Sequence, residues 1–268
     1  MTGELVATIL GCGPSPGVPR IGNDWGRCDP SEPRNRRSRC SLLLARHDPA
    51  GGPSTQVLFD TSPDMRQQLL AANVNHLDAV LYTHAHADHL HGIDDLRAFW
   101  MKTRRLVDVY ADETTAMRIH EAFRYCFETP AGGSYPPTLR MNRVTAYEPL
   151  VIIGPAGPLD VLPFTQRHGT ATSVGYRIGG LAYSCDVSGL DDRAAAQLEN
   201  LDVWIVDALR HEPHPSHFSV AEALAWIERL KPRRAVLTHM DSPLDYNALR
   251  RELPDHVEPA YDGMVIAL

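Results

Sequence analysis

Residues 83–91 read THAHADHLH, four histidines and one aspartate in nine positions, directly after the apolar run DAVLY. The apolar run reads as a buried strand. That puts His84, His86, Asp88 and His89 at its carboxyl end, running on into a helix, and sites are commonly built at such ends. In an extended segment residues two apart project to the same side, which aims His84 and His86 at one point. Asp88 and His89, past the bend, aim at a neighbouring point. Imidazole nitrogens and carboxylate oxygens suit Zn²⁺, Mn²⁺ or Fe²⁺, and the small Ala85 and Ala87 leave room for the rings to converge. The pattern predicts a metal site, with His91 outside it as a supporting or surface residue.

A chain of 268 residues, 43% of them hydrophobic, can bury a substantial core without disulfide or metal staples. The formal charge of −7 gives no general attraction for polyanions, so no long nucleic acid is expected as a partner. Five cysteines without regular spacing argue against a disulfide framework and suit a reducing, cytoplasmic location. The N-terminal MTGELVATILGCG has no Lys or Arg and turns glycine-rich, so it reads as a first strand and turn, not a secretory signal. No later run approaches the ~18 apolar residues of a membrane span, and no membrane partner is expected.

Short β-like runs alternate with helical patterns. ELVATIL, CSLLLA, TQVLFD and DAVLYT are predicted strands, with a helix opened by Ser62 and Pro63 and running through Asn73 between the last two. VDVYA precedes a helix near 112–125, and PAGGSYPP is a loop. Runs at 150–153, 159–164, 174–178 and 181–184 predict antiparallel strands, because their linkers are too short for helical crossovers. DVWIVD, AVLTH and MVIAL then read as strands separated by the helices SVAEALAWIERL and DYNALRREL. With no linker and no repeat of fixed period, residues 1–268 read as one α/β domain of mixed sheets flanked by helices.

The segment His84 to His89 resembles the H-x-H-x-D-H signature of the metallo-beta-lactamase superfamily. The resemblance continues at His168 in TQRHGTATSVGYRI, Asp186 in LAYSCDVSG and His239 in AVLTHMD, and it covers most of the chain. It implies an αββα sandwich of two mixed β-sheets flanked by helices, with a dinuclear metal centre. It further implies that His84, His86 and His168 hold one divalent ion, that Asp88, His89 and His239 hold a second, and that Asp186 bridges them, the ions being Zn²⁺ or Mn²⁺. Asp60, ending VLFD, matches a family position that supports a metal-binding imidazole through a hydrogen bond. On the sequence alone it reads equally as a helix-initiating residue.

The segment HPSHFSVAEALAWI, followed by a strand and THMD, resembles one shared by tRNase Z enzymes and the phosphoribosyl cyclic phosphate phosphodiesterases of carbon-phosphorus lyase pathways. The resemblance gives His217 a role in phosphodiester cleavage beside Asp88, with His214 and His211 as neighbouring alternatives. LGCGPSPGVPR and RNRRSRCS resemble the cyclic phosphodiesterase subgroup. Gly11, Gly13 and Gly17 would then let the backbone turn tightly near the metals. Arg36, Arg37 and Arg39 form a basic run that either holds a substrate phosphate or is solvated surface. That subgroup also carries a structural zinc on a cysteine cluster and a later histidine; only Cys28 and Ser242 stand in those places here, so no third metal is expected.

The expected activity is dinuclear-metal-dependent hydrolysis of a small cyclic or nucleotide-like phosphodiester. Hydrolysis of another ester or a thioester on the same centre is the alternative. A tRNA 3′-processing nuclease comes behind it, because the chain is acidic and PAGGSYPP carries no basic residue. The full ligand set argues against a non-enzymatic metal-binding protein, and a homodimer is the expectation at family level.

Overall fold

A computed structural model of the protein describes residues 3–268. Its first sheet contains β1 (Leu5–Gly11), β2 (Ser41–Arg46), β3 (Thr55–Phe59), β4 (Ala79–Leu81), β5 (Val107–Ala111) and β6 (Leu139–Arg143). The second contains β7 (Leu150–Ile152), β8 (Leu159–His168), β9 (Ala171–Ile178), β10 (Leu181–Ser184), β11 (Val203–Asp207), β12 (Arg234–Thr238) and β13 (Val257–Pro259). The last strand, β14 (Met264–Ala267), returns to the first sheet and gives it the order β14-β1-β2-β3-β4-β5-β6; the second runs from β13 to β7. Both sheets are mixed. In the first, β14, β1, β2 and β3 pair antiparallel and β3 to β6 parallel. In the second, β7 to β10 pair antiparallel and β10 to β13 parallel.

The period of two along a strand decides what meets between the sheets. Leu42, Leu44, Val57, Phe59, Ala79 and Leu81 share one buried cluster with Phe164, Tyr176, Tyr183 and Ile205 of the second sheet. The intervening Leu43, Leu58 and Val80 pack on the opposite face with Met65, Leu69 and Ile119. Strands covered on both faces read as unbroken apolar runs, which is how these appear in the sequence. The Phe59 ring lies 5.3 Å from that of Tyr176 and 5.8 Å from that of Tyr183. Burying such a ring stabilises the fold by about 1.5–3 kcal/mol.

Helices α1 (Met65–Ala71), α2 (Ala87–Leu90), α3 (Arg97–Thr103) and α4 (Glu113–Phe123) flank the first sheet. The first begins at Met65, later than Ser62 and Pro63 suggest. The Ser62 hydroxyl accepts from Asp64 N and donates to Gln68 Oε1, which makes a turn ahead of the helix. On the other flank lie α5 (Asp192–Ala196), α6 (Val220–Leu230) and α7 (Tyr246–Glu252). Helix α6 buries Val220, Ala223 and Ile227, spaced for one helical face, and opens on a capping box between Ser219 and Glu222. Among the described residues no helix is long and apolar enough to cross a membrane.

Candidate metal centre

Five carboxyl strand ends deliver polar side chains to one edge of the sandwich. Asp60 follows β3, Thr83 to His89 follow β4 and enter α2, His168 ends β8, Asp186 follows β10, and His239 follows β12. Ligand atoms of His84, His86, His168 and Asp186 lie within 4.8 Å of one another, as do those of Asp88, His89 and His239. Asp186 divides its oxygens between the two groups. Its Oδ2 is 3.5 Å from His84 Nε2 and 3.6 Å from His168 Nε2, while Oδ1 is 3.1 Å from His89 Nε2 and 3.3 Å from His239 Nε2. Asp88 Oδ2 stands 3.4 Å from His89 Nε2 and 3.7 Å from His239 Nε2.

Hydrogen bonds behind the rings fix which nitrogen faces inward. His168 Nδ1 meets the Ser216 carbonyl at 2.7 Å, and since a carbonyl only accepts, Nδ1 carries the proton and Nε2 a lone pair. His89 Nδ1 donates to Asp60 Oδ2 at 2.7 Å. Asp60 also accepts from Thr83 N at 2.7 Å and from the Thr83 hydroxyl at 2.8 Å. With its one proton so placed, Thr83 Oγ1 accepts from His84 Nδ1 at 3.0 Å. Asp60 therefore orients imidazoles of both groups, and it opens no helix, since α1 starts five residues later.

Three residues of this edge adopt left-handed backbone: Asp60 (φ 62°), Asp186 (φ 54°) and His239 (φ 59°). Such a conformation costs a non-glycine residue about 1–2 kcal/mol. Here it turns the chain sharply at a strand end and aims the side chain across the edge.

Burial opposes charge throughout the cluster, and mutual pairing overrides it. Against burial, His239, His89 and His84 hold Asp186 well below the usual carboxylate range, and His89 with His239 does the same to Asp88. In return the acids, Asp186 foremost, push His89 well up and His239 up to about 10 against their own burial. Burial and the neighbouring His89 instead drive His84 well down. The Nε2 atoms of His84, His89 and His239 are buried without a hydrogen-bond partner. Such atoms are rare in folded proteins, and coordination to a cation satisfies them. Five imidazoles and two carboxylates converging in this way fit a pair of divalent ions.

Of the three histidines near α6, His217 reaches the cluster. Its Nε2 is 3.9 Å from Asp186 Oδ2, its side chain is 11% exposed, and its Nδ1 bonds Asp207 Oδ2 at 2.8 Å. His214 lies beside it with ring centroids 5.1 Å apart, while the exposed His211 faces Glu252. The exposed His91 packs on Phe123. Asp207, fully buried at the end of β11, also accepts from Val187 N. The sequence reading passes over it, along with Thr83 and the buried Cys185, whose thiol lies within 4.8 Å of ligand atoms of His89 and Asp186.

The basic run divides, and Arg37 fits neither expectation, while Arg36 is exposed. Arg37 is buried, with its guanidinium bonded to backbone carbonyls, so it offers nothing to a substrate phosphate. Arg36 stacks over Trp25 and Arg39 pairs with Asp64 at 2.9 Å. Both line a groove of about 810 Å³ whose walls include none of the seven His and Asp residues and not His217. Gly13 serves close approach, not a turn: a Cβ there would stand 2.7 Å from the Arg37 carbonyl. Gly17, at φ 67°, does require the left-handed conformation.

Residues 55–240, which include all seven His and Asp residues, match the beta-lactamase superfamily domain. An octanoyltransferase of Porphyromonas gingivalis is 33% identical over 261 residues, 96% of this chain and 50% of that protein, so the chain spans about half the length of that relative. A solved structure described as a new diphosphatase from the PhnP family is 34% identical, with a TM-score of 0.89 over 100% of this chain and 98% of the other. Zn²⁺-bound PqqB from Methylobacterium extorquens shares the fold, with a TM-score of 0.74 at 17% identity over 98% of this chain and all of the other. The signature at the end of β4, the two mixed sheets and these likenesses place the chain in the beta-lactamase superfamily, within its PhnP-like branch.

Proposed function

We propose that this protein is a metal-dependent hydrolase of small phosphodiesters, cyclic or nucleotide-like, working with two divalent ions, Zn²⁺ or Mn²⁺. The observation that carries the reading is the Asp186 carboxylate, whose two oxygens face separate imidazole groups while His217 Nε2 approaches one of them. His84, His86 and His168 would hold one ion, Asp88, His89 and His239 the other, with Asp186 between them. When bound, such a pair polarises phosphoryl oxygens and supplies a water acidic enough to attack near neutral pH.

The chain's own groups do the rest. A carboxylate accepts the Nδ1 proton of His217, which leaves Nε2 as the atom that takes or gives a proton on the cluster side. Protonated there, His217 would deliver its proton to the departing oxygen of a diester, a contribution of typically about 10²–10⁴-fold. Buried Asp207 keeps the ring aimed, and it is itself held by Val187 N.

The relative described as a diphosphatase favours a second reading, cleavage of a diphosphate linkage, which the same groups would perform at phosphorus. A panel decides between them: protein reconstituted with Zn²⁺ or Mn²⁺ is offered a cyclic nucleotide, a linear phosphodiester, a diphosphate, an octanoyl thioester and a β-lactam. Fastest turnover of the cyclic or linear diester supports the proposal, and preference for the diphosphate moves it to the second reading. A thioester or β-lactam as best substrate overturns both.

A further inference from the structure

Among the described residues, Arg37 is the one charged residue in the set of largest fully buried side chains. Its guanidinium joins two stretches far apart in sequence. Nη2 donates to the Leu244 carbonyl at 2.6 Å and to Asn35 Oδ1 at 3.3 Å; Nη1 donates to the carbonyls of Asp241 at 3.2 Å and Met240 at 3.4 Å. Cys28 Sγ, 4.0 Å from Nη1, lies against the carbonyls of Ser242 and Leu244. The backbone of Arg37 exchanges both of its hydrogen bonds with Val18, so the base of the side chain is fixed as well. A buried charge is costly unless hydrogen-bonded on several sides; the carbonyls supply bonds to Nη1 and Nη2, while Nε is buried without a partner. They gather around it as they would around a small cation.

Two of these carbonyls, those of Met240 and Asp241, follow immediately on His239, and that of Leu244 stands five residues on. His239 keeps left-handed backbone, which persists only where the surroundings over-determine it. Ahead of it, Ala208 N donates to the Thr238 carbonyl; behind it, Met240 N donates to the Cys12 carbonyl, and Arg37 grips the next two carbonyl groups. We infer that Arg37 is a positioning residue for the Asp88–His89–His239 half of the centre: its guanidinium locks the turn at His239 and holds that imidazole against Asp88 and Asp186. The inference rests on the metal reading given above.

Metal binding to full-length Arg37→Met, Arg37→Lys and unaltered protein tests it, with Zn²⁺ content after gel filtration, chelator competition and the visible spectrum of Co²⁺-loaded protein as readouts. In Arg37→Met one ion stays as tight as in the unaltered protein, and the other weakens by about 10–100-fold, the range for losing a supporting group. Its Co²⁺ bands shift, and Arg37→Lys recovers part of the loss, because it restores the charge without the fork. In a His239→Ala background, where that half is already broken, Arg37→Met adds nothing. Equal weakening of both ions, or of neither, overturns the inference. If Arg37→Met does not fold, Arg37→Lys with two unchanged ions overturns it just as well. Unaltered protein that binds no metal overturns the metal reading instead.

Discussion

Asp60 Oδ2 accepts the Nδ1 proton of His89 at 2.7 Å, both side chains wholly shielded from solvent, and the same oxygen takes the Thr83 hydroxyl that receives His84. One carboxylate thus disciplines an imidazole on each side of Asp186. In Asp60→Asn an amide can present N–H where His89 already offers one. Affinity for both ions should fall by about 10–100-fold in chelator competition. A loss confined to one ion would leave the Thr83 link without a role.

Reconstituted protein should hold two ions per chain, and His239→Ala one. Cys28→Ser should leave the content unchanged, since the Cys28 thiol turns toward the carbonyls of Ser242 and Leu244. Elemental analysis after exposure to excess Zn²⁺ or Mn²⁺ checks all three values. No more than one ion in the unaltered protein contradicts the count.

Metal loading at pH 7.5 should release protons. His239 is pushed up to about 10, so its ring is charged before an ion arrives and must become neutral to bind it, and His89 is pushed in the same direction. Calorimetry in buffers of different ionisation enthalpy should report about one proton or more per chain, and affinity should drop as the solution is acidified. The metal-free chain should show the opposite trend in stability. A raised folded-state value contributes stability fully present below the ordinary 6.5 and lost as pH climbs through about 10, so its melting temperature should decline across that window. Buffer-independent heats would contradict this.

His217→Ala should lower kcat by roughly 10²–10⁴-fold with metal content intact. A p-nitrophenolate leaving group, which departs without a proton, should suffer far less than an alkoxide. Asp207→Asn should show the same leaving-group bias at smaller amplitude, because it disturbs the tautomer and not the ring. An equal loss for both leaving groups would move His217 to substrate positioning.

Asp262 should titrate near 6. Burial raises its carboxyl to about 6 although Ser38 and Cys12 donate to it through both backbone and side chain. The group therefore contributes stability that is complete below its ordinary 3.8 and fades as pH rises through about 6. Carboxyl ¹³C shifts followed against pH give the midpoint; a value at or below 3.8 would contradict the burial argument.

Much of the site is legible because polar residues crowd directly behind apolar strands: His84 to His89 after β4 and His239 after β12. His168 and Asp186 carry no such mark, and only family resemblance singles them out. Asp207 ends an apolar strand as Asp60 does, so the signal for it is present in DVWIVD. Thr83 has none, because its role arises from a partner 23 positions away. Arg37 reads as a phosphate holder or as solvated surface since it stands in a charge run, and a segment two hundred residues downstream decides its burial. The period-two and helical patterns likewise miss β6, with one buried residue, and α3, with none. Each sets only a short apolar contact on the core, Leu139 and Met141 from β6 and Phe99 from α3, too few residues to stand out as a periodic pattern.

The return of β14 to β1 imposes an order on biosynthesis. A chain leaving the ribosome shows His84, His86, Asp88 and His89 early, while Asp186 and His239 are still to be translated. The outer edge of β1 stays bare until residues 264–267 appear, an open template for other chains in the meantime. The full set of seven His and Asp residues therefore exists only once residue 239 has been made. A polypeptide cut ahead of residue 186 would carry part of the ligand set without Asp186 and His239, beside a β1 edge that has lost its partner.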